Sequence, residues 1–233
     1  MLQLARCIDH TLLKAEATES EVRELVKQAL AHRFASVCVN GQWASLVSHL
    51  LQADSADPEN PVVACAVVGF PLGAMRSSVK AVEAVAAVKD GAREVDMVVA
   101  LQTLLAMDLD AARADVFEVV RAARAVRRDT RVKVILETAA LNEEQTALGC
   151  QAAREGGADF VKTSTGFHPK GGATEQSVGW LLKYAGGLAV KASGGIRDRA
   201  TAEKYLAMGV RRIGTSSGVA MVTQGALAPG GTY

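Results

Sequence analysis

Eight short apolar runs, separated by stretches with helical spacing, recur along the chain at an even pace. They lie at 7–13 (CIDHTLL), 35–40 (ASVCVN), 62–69 (VVACAVVG), 94–100 (EVDMVVA), 131–137 (RVKVILE), 160–165 (FVKTST), 188–195 (LAVKASGG) and 211–218 (RRIGTSSG). β-Branched residues are frequent in them. Most do not alternate polar with apolar, as expected of parallel strands covered on both faces. Between them, residues 20–33 place Val22, Leu25, Val26, Ala29 and Leu30 on one helical face. Residues 78–91 repeat Val79, Val82, Val85, Ala86 and Val88 as such a face and end at Gly91; 111–128 and 142–157 follow the same spacing. Thr18, Asn142 and Thr174 each precede a helical stretch with an acid nearby, which predicts N-caps there.

An internal echo supports the period. KDGAREVDM, REGGADFVKT and AMGVRRIGT share the order helix end, glycine, strand, and glycine just past a helix supplies the left-handed cap residue. Eight units over 233 residues average roughly 29 residues each, near the size of a βα unit. The predicted fold is α/β, a single compact (β/α)8 TIM barrel over 1–225, with 226–233 as a flexible tail. An open doubly wound sheet is the alternative. Eight units without a long linker favour closure.

Bulk chemistry narrows the function. Hydrophobic residues make up 49% of the chain and charged ones 22%, an ordinary globular balance. A net charge of +1 gives no global field for nucleic acid or an anionic membrane. No apolar run approaches the ~20 residues a membrane span needs. MLQLARCIDH has no basic segment leading a long apolar one, so no secretory signal is expected. Cys7, Cys38, Cys65 and Cys150 lack C-x-x-C spacing and read as buried free thiols in a reducing, cytoplasmic setting. His10, His32, His49 and His168 are scattered, with no H-x-x-x-H and no acid cluster, so no metal is expected.

In such a barrel, chemistry gathers at the C-terminal strand ends. Lys162 follows Phe160 and Val161 there, and Lys191 follows Val190 at the matching place in the next strand. A lone buried ammonium is costly, so each has either a paired acid or a function. A lysine that attacks a carbonyl must be neutral, whereas its ordinary pKa is about 10.4. A second ammonium supplies the remedy. At ~6 Å and an effective dielectric near 20 the repulsion is roughly 3 kcal/mol, about two pH units. Position alone leaves open which lysine is the nucleophile. Lys133 falls early in its strand and reads as an ordinary pairing lysine. Asp96, inside EVDMVV, can hold the lysines or move protons; Asp9 reads as either site acid or structural partner. SGGIR (193–197) and GTSSG (214–218) follow the last two strands, where barrels often bind phosphate through glycine N–H groups. Ser216 and Ser217 add hydroxyl donors. Arg197 reads as a solvated charge.

These segments resemble the deoxyribose-phosphate aldolase family of class I Schiff-base aldolases nearly end to end. IDHTLLK, SVCVN, VVGFPLGA, EVDMVV, VKVILET, GADFVKTSTGF, VKASGGIR and IGTSSG all match. EVDMVV, FVKTSTGF and VKASGGIR in that order are specific to the family. The resemblance implies a lyase that cleaves 2-deoxy-D-ribose 5-phosphate reversibly into D-glyceraldehyde 3-phosphate and acetaldehyde. It implies Lys162 as the imine-forming lysine, Lys191 as its perturbing partner and Asp96 as acid/base through water. Gly166, Gly194, Gly195, Ser216 and Ser217 would hold phosphate, and Asp9, Thr11, Cys38 and Thr165 would line the sugar pocket. No cofactor is implied beyond the covalent imine on Lys162. A homo-oligomer, dimer or tetramer, is expected.

Two departures stand out. Some members carry a phosphate-binding lysine after TSTG; this chain has Phe167, which implies either weaker phosphate binding or substitution by Lys170. Some use a C-terminal tyrosine for proton transfer at the enamine, the place of Tyr233. The rivals are a transaldolase-like barrel enzyme and a non-catalytic phosphosugar-binding barrel. Binding alone does not need the lysine pair.

Overall fold

The computed structural model describes residues 4–52 and 59–223. Eight strands follow one another in chain order: β1 (Ile8–Leu12), β2 (Ser36–Val39), β3 (Val63–Val68), β4 (Glu94–Val98), β5 (Arg131–Ile135), β6 (Phe160–Lys162), β7 (Ala189–Ser193) and β8 (Arg212–Thr215). Each pairs in parallel with the next, and β8 returns to β1 with Ile213 beside Ile8. That seam closes the barrel and removes the open-sheet alternative. The helices are α1 (Glu19–His32), α2 (Ala44–Gln52), α3 (Ser77–Lys89), α4 (Leu101–Leu105), α5 (Leu109–Val126), α6 (Glu143–Glu155), α7 (Glu175–Tyr184), α8 (Arg199–Met208) and α9 (Gly218–Thr223). Thr18, Asn142 and Thr174 cap α1, α6 and α7, each in a reciprocal capping box with the residue three places on.

Strand parity divides the core. Val95, Met97, Val132, Val134, Val161, Val190, Ala192 and Ile213 face the helices and join one apolar cluster with Val22, Val116, Val119 and Leu181. The residues between them point inward, where branched apolar side chains normally fill such a barrel. Here many are charged. Arg212 of β8 reaches Glu94 of β4, and Lys191 of β7 reaches Asp96 of β4, contacts that cross the barrel interior.

One helix turns the other way from the sequence reading. α3 buries Lys80, Ala81, Ala84, Ala87 and Val88, while Val79 and Val82 are 53% and 70% exposed. Small alanines let α3 lie close to its neighbours. The buried face is fixed by Lys80, whose Nζ lies 2.8 Å from Asp115 Oδ2 of α5 and 2.9 Å from the Val98 carbonyl. Asp115 in turn accepts from Ala100 N–H at 2.9 Å. An ammonium with its acid on one side outweighs valine periodicity, because a paired buried charge cannot be turned to the wrong face without losing its partner.

Candidate active site

Beyond the C-terminal strand ends opens a cavity of about 320 Å³, lined among others by Thr11, Lys162, Thr165, Phe167, Gly194 and Ser216. Its walls come from tight loops. β6 ends at Lys162, earlier than the apolar run suggests; Thr163 still donates its N–H to the Lys191 carbonyl, and its hydroxyl bonds the Ser193 backbone. The loop after β6 lies directly on the loop after β7. A side chain at Gly172 would put its Cβ 2.2 Å from the Gly194 carbonyl oxygen. Gly194 itself has φ +88°, and a Cβ on it would come within 3.3 Å of Gly166 Cα.

Lys162 rises from the floor of this cavity and is 3% exposed. Its Nζ lies 2.8 Å from Asp96 Oδ2. Lys191 lies in register beside it on β7, fully buried, with its Nζ 2.7 Å from the same oxygen and 2.5 Å from Asp9 Oδ2. Two nitrogens sharing one oxygen at these distances are inside the ~6 Å taken for the repulsion above. Space for Lys191 comes from Gly214. A Cβ there would sit 3.1 Å from Lys191 Cε and 2.9 Å from Ser193 Cβ. Burial pushes the Lys191 ammonium down, but Asp9 and Asp96 outweigh burial and hold it above the ordinary lysine range. Asp9 and Asp96 therefore favour the charged form of Lys191. Burial likewise pushes Asp96 up, and Lys133, Lys162 and Lys191 together hold it well below the usual carboxylate range.

Repulsion between two lysines is thus half of the electrostatics, because the carboxylate they share opposes it. The rest lies deeper. Lys133, read from sequence as an ordinary pairing lysine, has its Nζ 2.7 Å from Asp96 Oδ1 and 2.7 Å from Glu94 Oε2. Arg212 bonds both Asp9 and Glu94. Asp9 lies beneath Lys191 and is not part of the cavity lining. Cys38 is also fully buried below it, in a cluster with Leu13, Cys65 and Val67. Thr11, Thr165, Gly194, Gly195 and Ser216 line the cavity. Gly166 stands behind Gly194, and Ser217 donates its N–H to Thr215 Oγ1 at 2.9 Å. Tyr233 lies outside the described residues.

Glu137 is a site residue that no motif or spacing singles out. It has φ +59°, and its carboxylate accepts from the Thr165 N–H at 3.2 Å and from the Thr165 hydroxyl. It fixes the turn that leads to Gly166. Phe167 covers the mouth, 5.2 Å edge-on to Phe70. Lys14 and Arg197 also reach the rim. Cys38, Cys65 and Asp96 bring donor atoms within 4.8 Å of one another. Three ammonium groups already occupy that carboxylate, which argues against a cation there.

A closed parallel barrel with a buried amine opening on its C-terminal cavity is a frame for amine chemistry on carbonyl compounds. A family profile described as DeoC/LacD family aldolase matches residues 4–224. A protein from Caldanaerobacter subterraneus subsp. tengcongensis named deoxyribose-phosphate aldolase is 44% identical over 225 residues, covering 96% of this chain and 94% of its own. One of the same name from Bdellovibrio bacteriovorus is 45% identical over 230 residues, covering 98% of this chain and all of its own. The solved structure described as a unique tetrameric deoxyribose phosphate aldolase from Aeropyrum pernix superposes with a TM-score of 0.83 at 36% identity, over 94% of this chain and 89% of that one. The chain belongs to the DeoC/LacD family of aldolases.

Proposed function

We propose that the protein is a class I aldolase that reversibly cleaves 2-deoxy-D-ribose 5-phosphate into D-glyceraldehyde 3-phosphate and acetaldehyde through an imine on Lys162. The relatives' shared name supports the substrate. One observation carries the residue: of the three interior lysines at Asp96, Lys162 alone lines the cavity. Lys191 and Lys133 are fully buried behind it.

Neutral Lys162 attacks the sugar aldehyde, and the carbinolamine takes up one proton from solvent and loses water, which leaves a protonated imine as an electron sink. The 3-hydroxyl gives up its proton, the C2–C3 bond breaks, and its electrons form a neutral enamine. Asp96 receives that proton through water. Facing three ammonium groups it is a weak base, but conversion of the iminium to the enamine removes one of those charges. Its proton affinity rises at the step that needs it. D-Glyceraldehyde 3-phosphate leaves. Protonation of the enamine carbon and hydrolysis then release acetaldehyde and restore the amine, with Tyr233 as the proposed donor. Gly166, Gly194, Gly195, Ser216 and Ser217 hold phosphate; Asp9 and Cys38 support the sugar subsite from below Thr11 and Thr165.

No metal or organic cofactor enters this reading. The partners are small phosphosugars and aldehydes, not nucleic acid or membrane, and the compartment is the cytoplasm. No helix among the described residues is long and apolar enough to cross a membrane. The exposed Val79, Val82 and Phe117 on α3 and α5, with a tetrameric relative, support a homo-oligomer. A non-catalytic phosphosugar-binding barrel is less well supported, because binding alone does not require a buried amine cluster.

The test is cleavage of 2-deoxyribose 5-phosphate, read by reduction of released acetaldehyde in a coupled assay. Wild type should turn over and Lys162→Leu should not, with both still binding the sugar phosphate. Turnover by Lys162→Leu at the wild-type rate would remove the imine assignment.

A further inference from the structure

Beneath the cavity the interior charges form a closed circuit. Asp96 Oδ1 meets Lys133 at 2.7 Å, and Lys133 meets Glu94 Oε2 at 2.7 Å. Glu94 Oε1 meets Arg212 at 2.5 Å, and Arg212 meets Asp9. Asp9 Oδ2 meets Lys191 at 2.5 Å, and Lys191 returns to Asp96 Oδ2 at 2.7 Å. Three acids alternate with three cations, all less than 10% exposed. Within the ring the charges cancel. Lys162 is the seventh group, bonded to Asp96 from outside it.

We propose that this ring sets the charge state of Lys162, and that Glu94 and Arg212 are positioning residues for the reaction although neither touches the cavity. The inference rests on Lys162 being the imine-forming residue. Protonated Lys162 leaves this seven-group cluster with one uncompensated positive charge, and such charges are expensive in low dielectric. Neutral Lys162, the form that attacks a carbonyl, leaves the cluster balanced. The iminium restores the excess charge at the same nitrogen. Cleavage to the neutral enamine takes that charge off the nitrogen, because the proton released goes to Asp96, and the cluster is balanced again once Asp96 gives that proton up.

The balance includes every group facing Lys162. Burial pushes Lys133 down and Arg212 down, but their acids outweigh it and hold both above their ordinary values. Asp9, raised by burial, is pulled well below the carboxylate range by Arg212, Lys191 and Lys133. Burial pushes the Cys65 thiol well up, while the hydrogen bond with Cys65 draws the Cys38 thiol down. Arg131 contacts Glu94 at 3.5 Å from the open barrel end, with a side chain 60% exposed, so solvent screens it. On the cavity side, Lys14 pairs with Glu21, Glu137 is bonded to Thr165, and Arg197 lines the rim.

The test uses the full chain, acetaldehyde and cyanoborohydride, with the rate of adduct formation at Lys162 followed against pH. Glu94→Gln leaves the ring one positive charge in excess, so the neutral amine is favoured and the midpoint of the profile moves down. Arg212→Met leaves one negative charge in excess, so protonated Lys162 is favoured and the midpoint moves up. Each shift should be about one pH unit, the effect of a unit charge at ~10 Å and an effective dielectric near 20. The double variant should return close to wild type. The same opposite shifts should persist in a Cys38→Ser background, which removes that thiol from the balance. A merely structural role for Glu94 and Arg212 would lower the rate without moving the two midpoints apart. If Arg212→Met does not fold, Arg212→Lys should keep the wild-type midpoint while Glu94→Gln still lowers it. No Lys162 adduct in the wild type overturns the imine reading and this one with it. An adduct whose midpoint stays fixed in Glu94→Gln, or moves the same way in both single variants, overturns the ring alone.

Discussion

Phe167→Lys should tighten the enzyme's grip on phosphorylated sugars without changing its grip on unphosphorylated ones. Phe167 is 54% exposed at the mouth, and its backbone is held by an N–H bond to Thr165 Oγ1 at 3.0 Å. A lysine there points its ammonium at the space bounded by Gly194, Gly195 and Ser216. A hydrogen bond to a charged group contributes about 1.5–3 kcal/mol when buried. Half-exposure reduces this to roughly 1–1.5 kcal/mol, about a tenfold lower KM. The edge-on contact with Phe70 is lost, and at about 0.5–1.5 kcal/mol this lowers stability, not affinity. The assay compares KM for 2-deoxyribose 5-phosphate with KM for 2-deoxyribose. A tenfold fall for the first and none for the second is expected. An equal change in both would show that phosphate does not sit beside residue 167.

Two further outcomes follow from buried charge. Lys80→Met leaves the Asp115 carboxylate buried beside Ala100 N–H with its cation gone. It should cost about 3–5 kcal/mol and lower Tm by on the order of 10 °C, with Lys80→Met/Asp115→Leu recovering most of the loss; thermal melts in which the single and double variants coincide would refute the pair's role. Asp9, though raised by burial, is held below the carboxylate range in the fold by Arg212, Lys191 and Lys133, against about 3.9 when unfolded. Its stabilisation is complete above about pH 5 and is lost as pH falls through about 4 and below. Asp9→Asn should flatten the fall of the urea midpoint over that window, and equal slopes would count against the depressed carboxyl.

The barrel was legible because its signal is repetitive: apolar runs, helical spacing between them, and glycine at the turn into the next strand. The pair Lys162 and Lys191 was legible for the same reason, since each interrupts an apolar run at the matching place. The rest of the ring was legible only in part. Glu94 and Asp96, Arg131 and Lys133, and Lys191 and Ser193 each stand two apart with an apolar residue between. That parity puts them on the inner face, but a polar inner face is unusual for a barrel, and the runs read as wholly apolar. Lys133 falls early in the run 131–137 and for that reason reads as structural, yet it is the middle residue of β5 and its Nζ reaches the same carboxylate as Lys162. Arg212 was hidden inside a run read for its glycine and serines. α3 misled because its valines repeat helically while its buried face is set by Lys80 and small alanines. Glu137 carries no local signal, since its partner Thr165 is distant in sequence and meets it only where β5 and β6 end.

The central claim is that Lys162 forms the covalent bond to the carbonyl substrate. Acetaldehyde followed by borohydride, proteolysis and mass spectrometry tests it at the residue. The account predicts a single ethylated lysine, Lys162, and no modification in Lys162→Arg. Ethylation of Lys191 or Lys133 in the wild type, or no ethylated peptide at all, would contradict it.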